Sequence, residues 1–370
     1  MTKKKQGTEG KEVVIKIVNV ADGMHRDIKK QKQPQIKIPL RALSNVEYDE
    51  KEGYFKLLPG VKERTLTAST IKTFAQTLRM MGLSKRLVET NDIATKRDAY
   101  YQSKGAWGAA GFQEQEESDA IMDDIEAMLS VNREQIGFIP DEHGDSIAGN
   151  LTIIDKDTDT GEKIEIDCSK MGSGGWSVPS SVEHLQFKTK AKFVLAIETS
   201  GTFQRLNYHK FWKKYDCILA SLKGVPSRSI RRLLRRLSDE HDLPVYVFTD
   251  GDPYGYFSIY RTLKVGSGNA AHINKYFCVP KAKYIGVTPQ DIIDYKLPTH
   301  PLKEVDLKKI KDVVKNDPFL KAHKEWQKAL NDMVKMGKRV EQQAFSAHSL
   351  NYVMDTYLPE KLKNQKSWLP

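Results

Sequence analysis

Two spacings of hydrophobic residues alternate along this chain of 370 residues, and the change from one to the other divides it. Between residues 69 and 129 apolar side chains recur every three or four positions, as on one face of a helix. Ile71, Phe74, Ala75, Leu78 and Met81 predict a helix begun by Ser69 as N-cap and stopped by Gly82. Thr95-Lys96-Arg97-Asp98 sets a hydroxyl three positions before a carboxylate, the capping-box pattern, and predicts a second helix with Ala99-Tyr100-Tyr101 in its next turn. Ile121, Met122, Ile125, Met128 and Leu129 predict a third helix from Ser118. Short apolar runs follow at 136–139, 151–154 and 163–166, joined by polar turns such as Asp157-Thr158-Asp159-Thr160-Gly161. Helices followed by a small sheet suggest a winged helix-turn-helix.

From Lys192 onward the period changes to strand and helix in alternation: 193–198, 203–215, 217–222, 227–237, 245–249, 254–263, with a further strand at 284–287. Unbroken apolar runs such as Phe193-Val194-Leu195-Ala196-Ile197 read as central strands of a mostly parallel sheet in an α/β domain. The whole is therefore expected to be a multidomain chain of α/β and α+β class. Its expected parts are an N-terminal extension over 1–65, a winged-helix domain over 66–170, a linker over 171–190, the α/β domain over 191–306 and a charged helical region over 307–370. Gly172-Ser173-Gly174-Gly175 breaks all periodicity and is read as the hinge. Residues 1 to about 35 read as a loose Lys- and Gln-rich arm, with one strand over the apolar run 13–18.

Charge narrows the partners. Lys and Arg outnumber Asp and Glu by 59 to 48, giving a net charge of +11, which favours a polyanion and nucleic acid first. A membrane surface is the competing polyanion, but no apolar stretch approaches a spanning helix and no signal-peptide pattern follows the Lys3-Lys4-Lys5 start, so an intracellular chain is expected. Cys168, Cys217 and Cys278 are too far apart for a zinc motif or a disulfide framework and read as ordinary thiols.

The strand ends carry the candidate chemistry. Glu198 closes one apolar run, and Asp250-Gly251-Asp252 closes another, Val245-Tyr246-Val247-Phe248. Open parallel sheets bind ligands beyond the carboxyl ends of their strands, so the three carboxylates are candidates to converge there. They would repel one another unless a hard cation such as Mg²⁺ neutralised them; the competing reading is that each acid caps a helix. In the earlier helix a phenol lies within one turn of Arg97. A tyrosine hydroxyl titrates near ~10, so its attack on a phosphodiester needs a nearby cation or base; packing is the bland alternative for Tyr100 and Tyr101. Between the acidic stations, Ile230, Leu233, Leu234 and Leu237 form one stripe while Arg228, Arg231, Arg232, Arg235 and Arg236 cover much of the rest. That helix is read either as a solvated face balanced by Asp239 and Glu240 or as a contact for DNA phosphates.

Taken together, these strings resemble the A-subunit family of archaeal topoisomerase VI, the type IIB DNA topoisomerases, which share a core with the meiotic double-strand-break transesterase. The resemblance rests on Lys96-Arg97-Asp98-Ala99-Tyr100-Tyr101, the segment from Gln113 to Leu129, that from Gly172 to Ser180, Leu195-Ala196-Ile197-Glu198, Lys223-Gly224-Val225-Pro226 and Thr249-Asp250-Gly251-Asp252-Pro253-Tyr254-Gly255. It runs from about residue 66 to Trp368-Leu369. It implies a CAP-like winged-helix domain carrying the nucleophile and a Toprim domain carrying a Mg²⁺ site for one or two ions. By the family pattern Arg-Asp-x-aromatic-Tyr, the nucleophile falls on Tyr101, and Arg97 lies near the scissile phosphate. Glu198, Asp250 and Asp252 take the metal positions.

The activity so implied is cleavage of both strands of duplex DNA through a 5′-phosphotyrosine bond, strand passage and religation, which relaxes supercoils and decatenates. Family members work as homodimers, the tyrosine and the metal coming from opposite subunits. No Gly-Lys-Ser/Thr loop occurs here, and Gly255 and Gly266-Ser267-Gly268 do not make one, so ATP is expected on a separate ATPase B subunit in an A2B2 heterotetramer. The expected location is the cytoplasm, on the chromosome. Two other readings stay open from the sequence: a stand-alone break-forming transesterase and a non-catalytic DNA-binding module.

Overall fold

The computed structural model describes residues 3–139, 145–157 and 159–370, so Thr158 of the expected turn lies outside the described residues. The chain forms two compact units. One comprises residues 1–47, 55–142 and 267–276, and the other residues 48–54, 143–266 and 277–370. Among the described residues no helix is long and apolar enough to cross a membrane.

The first unit opens with a helix, α1, over Lys3–Lys29, where the sequence reading expected a loose arm with a strand at 13–18. The reason is periodicity. Val13, Ile17, Val20 and Met24 lie at helical spacing, while Ile15 in the middle of the apolar run is 57 % exposed. Val13 and Ile17 share a core with Met80, Met81 and Leu87, and Met24 shares another with Ile36, Ile38 and Phe74. Strands Gln35–Pro39 and Val61–Thr65 pair antiparallel, which brings most of the expected extension into this unit. They are held by Asp124, whose buried carboxylate receives Arg41, Lys62 and Arg64.

Helix α2 spans Ile71–Thr90. It starts after Thr70 rather than Ser69, and it runs through Gly82 to a left-handed Asn91. A mid-helix glycine costs only about 1 kcal/mol, and buried Leu83 and Leu87 carry the apolar stripe past it. Helix α3, Lys96–Ala106, begins with the expected capping box: Asp98 N–H donates to Thr95 Oγ1 at 3.1 Å and Thr95 N–H to Asp98 Oδ2 at 2.7 Å. Helix α4 covers Gln115–Leu129, starting one turn before Ser118.

The second unit is built on a six-stranded sheet. Its order is Trp176–Ser177, Ser146–Gly149, Cys217–Ser221, Phe193–Ile197, Val245–Phe248, Lys283–Gly286. The last four strands are parallel and the first two antiparallel. Every residue of Phe193–Ile197 and Cys217–Ser221 is buried, as in a sheet covered on both faces. Helices α5 (Ser200–Tyr208) and α6 (Phe211–Tyr215) divide the predicted 203–215 helix, because Lys210 between them is left-handed. Helix α7 spans Arg228–Glu240 with Ser227 as its N-cap, and Gly255–Tyr260 is π-helical.

Of the runs expected to form a wing, 151–154 and 163–166 belong to this second unit, whereas Phe138–Ile139 lies in the first and pairs parallel with Ala94–Thr95. Leu151–Lys156 pairs with both Lys163–Asp167 and Gln186–Thr189, and the neighbouring strand Ser146–Gly149 hydrogen-bonds to Cys217–Ser221. The glycine-rich segment 172–175 is likewise a turn within this unit, since Trp176–Ser177 after it pairs back onto Ser146 and Ile147. It is not the hinge. The three cysteines are free and buried.

Candidate catalytic tyrosine and carboxylate centre

In the second unit, register brings the acids together. Ile197 lies opposite Phe248 in the parallel pair, so both strands end at one level and Glu198 and Asp250 leave the sheet side by side. The Asp250 N–H donates to Glu198 Oε2 at 2.8 Å. The Gln342 N–H donates to Asp250 Oδ1 at 2.8 Å, and the Gly255 N–H to Asp252 Oδ1 at 2.7 Å. The last bond is of the helix-capping kind, so Asp252 fills that role as well. Arg339 lies 3.6 Å from Asp252 Oδ2. Two glycines permit this packing. A Cβ at Gly251 would sit 2.6 Å from Val340 Cγ1, and one at Gly255 2.5 Å from the Asp250 carbonyl.

Electrostatics mark the cluster as short of positive charge. Burial, then the Asp250 carboxylate, push Glu198 up to about 8. Burial, with Asp252 and Glu341 nearby, pushes Asp250 up to about 6 against the Gln342 N–H bond and Arg339. Asp252 is also raised, by burial first. Among the described residues no three His, Cys, Asp or Glu side chains close into a ready metal cage. Mg²⁺ does not require one: it keeps several waters and takes one or two carboxylates directly. Hard oxygen donors held against their own repulsion at one sheet edge fit that ion.

In the first unit the two adjacent tyrosines differ. The Tyr100 hydroxyl donates to the Gln113 carbonyl at 2.9 Å, and Lys104 lies 4.6 Å from its ring centroid. Tyr101 is 58 % exposed, packs edge-on against Tyr100, and its hydroxyl has no hydrogen-bond partner among the described residues. Arg97 is exposed, its side chain likewise without a partner among the described residues, four positions before Tyr101 on α3 and so on the same face. Tyr100 is packed and bonded, whereas Tyr101 is an exposed phenol one helical turn after Arg97.

The arginines of α7 do not form the outward stripe considered from the sequence. Arg228, Arg231 and Arg236 are buried, the first two against the Phe277 ring at 5.0 and 5.6 Å. Arg232 grips Glu183 with two bonds of 2.5 and 3.0 Å, and Arg235 binds Asp239 and the Cys278 carbonyl. Arg236 pairs with Glu240 as Arg235 does with Asp239, the balance within the helix that the sequence also suggested, while Glu183, the Phe277 ring and the Cys278 and Val182 carbonyls tie the arginines to the rest of the unit. Unused cations lie instead on α2. The side chains of Arg79 and Arg86 are exposed, have no partner among the described residues, and flank a groove of about 480 Å³ that Gln102, next to Tyr101, also lines. Their spacing of seven places them on one helix face, a signal visible in the sequence once the helix is known to run past Gly82. Arg339 and Gln342 carried no such signal, being brought in by tertiary contact alone.

Comparison with known proteins places the whole chain in one family. The family described as "Type IIB DNA topoisomerase" matches residues 72–138, and the "All-beta domain in DNA topoisomerase VI alpha subunit" matches residues 141–191. The Toprim domain of the family that joins the topoisomerase 6 A subunit with Spo11 matches residues 193–362. A Methanocaldococcus jannaschii protein, named as the A subunit of type 2 DNA topoisomerase 6, is 54% identical over 355 residues, covering 96% of this chain and 95% of that protein. Proteins of the same name from Methanothermobacter thermautotrophicus and Pyrococcus abyssi are each 38% identical, over 95% and 98% of this chain and 98% and 97% of their own lengths. With family models matched over residues 72–138, 141–191 and 193–362 and relatives of 54% and 38% identity spanning its length, the chain belongs to the topoisomerase VI A-subunit family of type IIB DNA topoisomerases.

Proposed function

We propose that this chain cleaves and rejoins duplex DNA through Tyr101, as the catalytic subunit of an ATP-dependent topoisomerase whose ATPase is a separate B subunit. The observation that carries the reading is the contrast between the two phenols: Tyr100 is tied to Gln113, whereas Tyr101 is exposed and free on the face that bears Arg97. In the forward step the phenol gives up its proton and its oxygen bonds to phosphorus. The bond from phosphorus to the 3′ oxygen breaks, and that oxygen takes up a proton as a 3′-hydroxyl. The reverse attack by the hydroxyl restores both bonds. Arg97 offsets charge on the non-bridging oxygens.

Glu198, Asp250 and Asp252 are the residues that would hold Mg²⁺, which when bound supplies Lewis-acid stabilisation to phosphate oxygens. The raised Glu198 carboxyl also suits it to hold or release a proton near neutral pH. We assign the helices over residues 71–129 to a winged-helix domain, the mostly parallel sheet of the second unit to the Toprim fold, and Arg79 and Arg86 to contact with duplex phosphates. Two copies are needed for two strands, with the phenol of one acting beside the acids of the other, in an A2B2 assembly on the chromosome. Purified chain mixed with the B subunit of a relative, supercoiled plasmid, ATP and Mg²⁺ should relax the plasmid. Persistent linear product would favour a break-forming transesterase, and inert binding a DNA-binding module.

A further inference from the structure

Gln342 is 1 % exposed, and both heteroatoms of its side-chain amide are bonded. Nε2 donates to the Phe248 carbonyl at 2.7 Å, and Oε1 accepts from Thr199 Oγ1 at 2.6 Å. Phe248 ends the strand leading to Asp250, and Thr199 directly follows Glu198. One buried amide therefore ties together the two strand ends from which the acids emerge. Its backbone N–H holds Asp250 Oδ1 itself.

The residues just before it continue the pattern. Val340 and Gly251 exchange backbone hydrogen bonds, Gly251 N–H to Val340 O at 2.9 Å and Val340 N–H to Gly251 O at 3.2 Å. Arg339 reaches toward Asp252 at 3.6 Å. Four consecutive residues thus run antiparallel to the acidic loop, opposite Asp252, Gly251 and Asp250 in turn, and end on Thr199 beside Glu198. A lone helix cap needs none of this. Carboxylates that repel one another drift apart unless something else fixes them, and a site fixed in advance binds its ion with less reorganisation.

We infer that the segment from Arg339 to Gln342 is a positioning clamp for the carboxylate centre, with Gln342 setting the separation of Glu198 and Asp250 that Mg²⁺ binding requires. The inference rests on the reading of those acids as the Mg²⁺ site. Gln342 is a positioning residue, since it acts through Asp250, Thr199 and Phe248.

The test is thermal melting of the full chain without DNA across a MgCl₂ titration. In the wild-type chain Mg²⁺ should raise the melting temperature, and Asp250→Asn should weaken or remove that rise. Gln342→Met keeps length and volume but loses both amide bonds, and should need about tenfold more Mg²⁺ for half the effect. Thr199→Val breaks the same link from its other end and should shift the midpoint in the same direction, whereas Thr199→Ser, which keeps the hydroxyl, should restore it. If Gln342→Met does not fold, the Thr199 pair decides. A merely structural glutamine would lower the metal-free melting temperature and leave the Mg²⁺ midpoint of Gln342→Met and Thr199→Val at the wild-type value, which overturns the clamp while leaving the metal site intact. A wild-type chain with no Mg²⁺ response, or the same response in Asp250→Asn, overturns the metal reading and the clamp with it.

Discussion

The main-chain amide of Asp250 donates its 2.8 Å hydrogen bond to the side chain of Glu198, an acid 52 positions earlier, so one member of the cluster holds another in place. That bond favours the ionised glutamate, but burial and the Asp250 charge outweigh it and leave Glu198 raised to about 8.

A pH dependence follows with a definite sign. Because the folded value lies above the ordinary 4.5, Glu198 contributes stability that is fully present below that value and lost as pH rises through about 8. Asp250, raised to about 6, acts in the same direction over a lower window. In EDTA, stability should therefore fall between pH 6 and pH 8.5, with a slope of up to about 1.4 kcal/mol per pH unit from Glu198. Saturating Mg²⁺ should flatten or reverse the trend, because the ion competes with the proton. Chemical denaturation at several pH values, with and without Mg²⁺, measures it.

Asp250→Asn removes one charge from a group of three that repel. At pH 8 without metal the variant should be at least as stable as the wild-type chain, while DNA cleavage collapses and recovers in part at raised Mg²⁺. If the acid served only as a helix cap, cleavage would stay near normal with modest destabilisation. Parallel melting curves and cleavage assays separate the two.

Gly251 is the point of closest approach between the acidic loop and Val340, whose Cγ1 would lie 2.6 Å from an added Cβ, with the Val287 carbonyl at 2.9 Å. Gly251→Ala should destabilise by about 1–3 kcal/mol through overpacking and displace Asp250 and Asp252 with it. A denaturant midpoint unchanged from wild type would mean that Val340 can move aside.

Arg79→Ala and Arg86→Ala should each weaken duplex binding irrespective of sequence and lower the salt slope by about 1. Arg232→Ala should instead lower stability, by loss of its paired bonds to Glu183, and leave the slope alone. Binding titrations over a range of NaCl concentrations test both statements.

The central sheet and the acids were legible because a parallel strand buried on both faces is an unbroken apolar run, and Glu198 and Asp250 stand where two such runs stop. The capping box at Thr95 was legible for a similar reason, since its chemistry is local. What failed was long-range or ambiguous at short range. The run 13–18 reads as a strand until Val13, Ile17 and Met24 are seen to need a face at helical spacing. The arginines of α7 look like a free basic face, yet Glu183, Phe277 and the Cys278 carbonyl arrive from elsewhere in the chain to occupy them. Gln342 lies 92 positions from Asp250, beyond the reach of any local pattern.

The two adjacent phenols differ in exposure and in hydrogen bonding, and the proposed chemistry depends most on that difference. Mapping the DNA-linked peptide after cleavage by the chain with its B partner, ATP and Mg²⁺ tests it directly. The expected result is a phosphotyrosyl bond at Tyr101, lost in Tyr101→Phe and kept in Tyr100→Phe, where only the Gln113 hydrogen bond and about 1 kcal/mol of stability disappear. An adduct that persists in Tyr101→Phe, or one that maps to Tyr100, would contradict it.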